Sequence, residues 1–194
     1  MFDGHQRARR VFLAACAGIL LAQAAPLAVA AELEARSDDG RWRARAAGDA
    51  LVVDDLAAGG PARTLPLRAL DGRGPGRVTA ILHAPRRRSF VVIVDGLPER
   101  PELWEVSHDT RAEPIYDGFV HDYKMGEGIA IPGFLNPRRS RLDGALRDPL
   151  LGPGDAYVLA RAPDLPDGRA VLQVWQLDVR RRIGERVLAS EPDL

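Results

Sequence analysis

Five consecutive apolar residues, Phe90-Val91-Val92-Ile93-Val94, constrain this chain more than any other stretch. Four of the five are β-branched, a type that fits an extended strand better than a helix. Successive side chains of a strand point to opposite faces, so both faces of this strand are apolar. A strand of that kind is covered on both sides. The chain must therefore place this segment in a middle layer, with other strands in front of it and behind it.

The rest of the chain supplies those layers as short strands between strong turn signals. Gly (19) and Pro (15) are plentiful, as in turn-rich all-β folds. Arg41 to Ala47, Leu51 to Val53 and Leu65 to Leu70 form a first block, turned by Gly59-Gly60-Pro61 and closed by the Asp71–Gly76 loop. Val78 to Leu82, Phe90 to Val94, Glu102 to His108 and Glu113 to Tyr116 form a second, with Pro85-Arg86-Arg87-Arg88 as a turn. Arg138 to Leu142, Tyr157 to Ala160 and Ala170 to Leu177 form a third after a loop from Asp117 to about Pro137. Each block contains an apolar-rich strand closed by aspartate, read as "LVVDDL", "LWEVSHD" and "VWQLDV". Repeats of this kind have the size of propeller blades, roughly 40–50 residues each, which leaves room for about three. Complete propellers use about four to eight. The expected fold is an all-β partial propeller of about three blades, with a small β-sandwich as the alternative.

The first thirty residues read as a leader, followed by one domain over 31–194. Arg7, Arg9 and Arg10 precede an apolar run from Val11 to Ala22, and Ala28-Val29-Ala30 fits a signal-peptidase site. Arg9-Arg10 also fits a twin-arginine export signal, beside the ordinary Sec alternative. Periplasmic localisation follows. Cleavage after Ala30 would remove Cys16, the one cysteine, leaving no disulfide and no thiolate ligand. Lys plus Arg equals Asp plus Glu at 27 each, so nothing marks a nucleic-acid partner.

The densest chemistry is Gly118 to Gly128, with His121, Asp122, Tyr123, Lys124, Met125 and Glu127 among three glycines. Its glycines favour a tight loop, where ligand chemistry often sits. His83 stands near a strand end. His108 shares a strand face with Trp104 and Val106, the place of a packed core or blade-edge histidine. The runs Arg86–Arg88 and Arg180–Arg182 read as solvated turns. There is no phosphate loop, no His/Cys metal spacing and no nucleophile elbow.

"PELWEVSHDTRAEPIYDGFVHDYKMGEGIA" (Pro101–Ala130), with "RVTAILHAPRRRSFVV" before it and "QLDVRRRI" after it, resembles the haem d1 propeller domain. That domain belongs to cytochrome cd1 nitrite reductases and to the NirF-type proteins of haem d1 biosynthesis, the closer likeness. The resemblance runs from about Asp38 to Ile183 and covers a piece of an eight-bladed domain. It implies haem d1 as cofactor. His121 would correspond to an active-site histidine above the haem, and His83 lies near the place of a second. Arg87 would grip a haem carboxylate. The early-blade proximal histidine has no counterpart, so no complete catalytic or axial-ligand set is present. The implied role is therefore an accessory one in denitrification, binding or handing over haem d1 or its precursor, rather than catalysis. The alternatives are a structural partner that completes a propeller begun by another chain, and a gene remnant without activity. Three blades would leave open faces, which implies self-association or a propeller-completing partner.

Overall fold

The computed structural model describes residues 33–69, 71–112 and 133–188, all within the unit Ala31–Leu194. They form three four-stranded antiparallel sheets, each a meander of consecutive strands. The first holds β1 (Glu34–Arg36), β2 (Trp42–Ala47), β3 (Ala50–Asp55) and β4 (Gly60–Pro66). The second holds β5 (Arg77–Ala84), β6 (Ser89–Asp95), β7 (Glu102–Ser107) and β8 (Pro137–Arg141). The third holds β9 (Arg147–Leu151), β10 (Tyr157–Ala162), β11 (Val171–Gln176) and β12 (Arg181–Val187). The first strands gather, since β5 packs against β1 and β2 on one side and against β9 on the other. This is a partial β-propeller of three blades. Three sheets stacked in series also exclude the two-sheet sandwich.

The apolar run sits where its chemistry demands. Phe90, Val92 and Val94 of β6 join Trp42, Ala44, Leu51 and Val53 in the core between blades 1 and 2. Val91 and Ile93 of the same strand join Val158, Ala160 and Trp175 in the core between blades 2 and 3. All five residues of the run are essentially buried. One strand thus supplies both cores, each apolar side chain adding about 1.5–3 kcal/mol of burial.

Several expected boundaries differ. The fourth strand of blade 2 is Pro137–Arg141, in place of the expected third-block strand Arg138 to Leu142; Glu102↔Arg141 and Trp104↔Arg139 fix its register on β7. The expected strand Glu113–Tyr116 lies outside the described residues. Gly60 and Pro61 begin β4 rather than completing a turn, because Gly59 (φ 79°) already reverses the chain. Arg181 and Arg182 open the edge strand β12 rather than ending the block.

Candidate functional site

Alternating strand direction brings the first hairpin turns of all three blades to one end of the molecule. These are 37–41, 85–88 and 152–156. The second and third of these turns are tied together, with the Arg86 backbone N–H donating to Asp155 at 2.8 Å. A pocket of about 350 Å³ opens here between blades 1 and 2.

Two histidines meet in it. His83 lies one residue from the end of β5, and His108 follows β7. Between those strands runs β6, where Phe90 pairs with His83 on one side and with Val106 on the other. Both histidines therefore share Phe90's face, with ring centroids 5.5 and 5.2 Å from it. Their Nε2 atoms approach to 3.2 Å. His83 Nδ1 stands 3.2 Å from an Asp38 carboxylate oxygen. Neutral rings satisfy both contacts in one arrangement: His83 donates from Nδ1 to Asp38, and His108 donates from Nε2 to His83. Burial, then the neighbouring His83, pushes the His108 pKa below the usual histidine value.

Blade 1 holds its side of the pocket rigidly. The Ser37 hydroxyl donates to Asp39 at 2.5 Å, and the Arg41 N–H donates to the same carboxylate oxygen at 3.0 Å. Gly40 closes this turn at φ 68°, a conformation cheap only for glycine. These bonds, first that from Ser37, lower the Asp39 pKa. Trp42 stacks on His108 at 6.3 Å and meets Phe134 edge-on at 5.6 Å.

Two of the three expected site residues lie at different junctions. His83 is in the pocket. Arg87 is at the other junction, between blades 2 and 3, and is not a solvated turn residue. Its guanidinium grips Glu105 through Nε (2.7 Å) and Nη2 (3.2 Å), and Asp178 through Nη1 (2.8 Å). Arg138 donates to the same Glu105 at 2.5 Å. Burial pulls the Arg87 pKa down, but Glu105 and Asp178 more than offset it and leave it raised. Burial likewise raises the Glu105 pKa, and the arginines reverse this, leaving it lowered. His121 lies outside the described residues. His108, read as a packing residue, proves to be His83's partner. Its face was legible in the alternation Trp104, Val106, His108, but the β5–β6–β7 register that joins it to His83 was not.

The described lining offers two imidazoles beside an indole, with the two Nε2 atoms engaged with each other. It does not fit an iron-tetrapyrrole. The pocket is smaller than a tetrapyrrole. Its two arginines are engaged, Arg41 with Asp55 at 2.8 Å and Arg88 with Asp109 at 3.2 Å. Asp38, Asp39 and Asp109 line the same space and would repel carboxylates. Among the described residues no group of three or more His, Cys, Asp or Glu could hold a metal ion.

Neither a protein family nor a curated protein matches the sequence. Among solved structures, the fold is similar to dihydro-haem d1 dehydrogenase NirN in complex with DHE, with TM-score 0.59 and 24% identity. That match covers 81% of this chain and 28% of NirN, so the chain spans well under half of its relative. The propeller domain of Myceliophteria thermophila Cps50 (Swd1) also aligns over 82% of this chain and 57% of its own, at TM-score 0.34 and 12% identity. The likeness to NirN establishes the class, a β-propeller fold.

Proposed function

We propose that this protein is an exported, periplasmic accessory protein of haem d1 metabolism, most like the NirF type, which binds haem d1 or its precursor without transforming it. The observation that supports this is the His83–His108 pair, Nε2 to Nε2 at 3.2 Å, in an inter-blade pocket beside Trp42. The NirN-like fold and the sequence resemblance point to the same ligand class. Among the described residues the imidazole Nε2 atoms of the pocket are engaged with each other, and no chemical step is assigned to them.

Absorption titration of the purified chain with haem d1 tests the reading. The expected result is a saturable Soret shift, with His83→Ala and His108→Ala each weakening binding about tenfold, the equivalent of ~1.4 kcal/mol. Unchanged spectra on addition of haem d1 to the wild type would overturn it. So would equal affinity for all three proteins.

A further inference from the structure

The lining that does not fit a tetrapyrrole fits a smaller cation. Three carboxylates line the pocket, those of Asp38, Asp39 and Asp109. They face two guanidiniums, and one of these, Arg41, is engaged with Asp55 outside the lining. Negative charge near two imidazoles favours a positive ligand. The His83 and His108 rings meet nitrogen to nitrogen, with Nε2 atoms 3.2 Å apart and ring centroids 5.4 Å apart. Neutral rings so placed hold a single proton between two nitrogens, one donating and one accepting.

A metal ion competes with a proton for such a place. Zinc binds imidazole nitrogen at about 2.0–2.1 Å. Two nitrogens on one four-coordinate ion are then about 2.9–3.4 Å apart, from square-planar to tetrahedral angles. The observed 3.2 Å lies in that range. Seating the ion beside the line between the nitrogens needs each ring to turn, while the strands stay in place.

A second feature points the same way. A metal-bound imidazole usually gives its other N–H to a carboxylate, which fixes the ring and raises its basicity. His83 has that partner, since its Nδ1 stands 3.2 Å from Asp38. The Asp38 side chain is 75% exposed, so the contact with His83 is not imposed by burial. The turn that presents Asp38 is pinned on both sides, by Ser37 and by the Arg41 N–H, each donating to Asp39.

We propose that His83 Nε2 and His108 Nε2 bind one divalent late first-row metal ion, of the zinc or copper kind, with Asp38 orienting His83. Imidazole nitrogens suit such ions, whereas calcium and magnesium take oxygen ligands. The ion displaces the proton that His108 donates, and that ring passes to its Nδ1–H tautomer. The described residues supply these two ligands and no third. The inference goes beyond haem d1 binding and does not rest on it.

The test is a titration of the purified full chain, stripped with EDTA and kept free of haem, with Co2+ as a visible probe and Zn2+ as competitor. The expected result is 1:1 binding of Co2+, seen as d–d absorption bands that Zn2+ abolishes. His83→Ala and His108→Ala should each remove that binding. Asp38→Asn, at an exposed position, should weaken it about tenfold while circular dichroism stays unchanged. No binding to the wild type overturns the proposal. So does equal affinity in both alanine variants, which would assign the ion to other groups. Should those variants misfold, Asp38→Asn decides alone, and unchanged affinity there overturns the proposal. Metal is read without haem and haem d1 without metal, so either reading can fail while the other stands.

Discussion

Two junctions hold the three blades together, and they close differently at the turn-bearing end. Between blades 2 and 3, below the apolar core, Glu105 is clamped by Arg87 and Arg138, and Arg87 reaches on to Asp178. Pairing leaves the Glu105 and Asp178 carboxyls lowered and the Arg87 guanidinium raised from their ordinary pKa values. Between blades 1 and 2 the corresponding place holds two histidines, an aspartate and a solvent-facing pocket. Imidazoles change charge near neutrality and can take or give a hydrogen bond. The first junction is built to stay shut. The second keeps adaptable groups in reach of a ligand. An arginine near a candidate site is thus no evidence of ligand binding until its existing partners are counted.

The largest effect expected from breaking this contrast is at Glu105. Glu105→Ala leaves Arg138 and part of Arg87's fork without a counter-charge in a buried setting. Urea denaturation should show a loss of about 3–5 kcal/mol. A loss near zero would mean that the clamp adds nothing to the packing of blades 2 and 3.

A smaller loss is expected at the histidine junction. His108→Ala removes His83's partner and should cost about 1–3 kcal/mol. The sign of the pH effect sharpens the comparison. His108's pKa is depressed in the folded chain, so below about 6.5 the unfolded chain binds a proton that the folded one resists. Stability from this group is full above that pH and falls as the pH drops. The facing charges are Asp38, Asp39, Asp109, Arg41 and Arg88. Denaturation midpoints for wild type should decline from pH 7 to 5, and His108→Gln should flatten that slope. An unchanged slope would remove His108 as its source.

The smallest effect belongs to exposed pairs outside both junctions. Arg161 meets Asp164 at 3.2 Å with both side chains nearly half exposed. Arg161→Ala should change stability by about 0–1 kcal/mol. A larger loss would show that the outer face of blade 3 depends on this pair.

The sequence told more about cores than about edges. Phe90–Val94 was legible because burial on both faces forces an apolar run. Strand β12 was not, since an edge strand with Arg181, Arg182, Glu185 and Arg186 shows no alternation against solvent. Strand β8 was misassigned because residues 108–136 separate it from β7, and register across such an interval is invisible in sequence. Arg87 reads as solvated because its partners are distant in sequence: Glu105 on β7 and Asp178 in the turn after β11. The His83–His108 pair is hidden in the sequence for the same reason, since 25 residues separate the two histidines.

If haem d1 binds at the junction of blades 1 and 2, hydrogen exchange read by mass spectrometry, with and without haem d1, will show it there. Slower exchange is predicted in peptides spanning Ser37–Trp42 and those containing His108, with no change in Gly152–Ala156 or Leu177–Arg180. Protection at the junction of blades 2 and 3 instead, or at neither junction, would contradict the account.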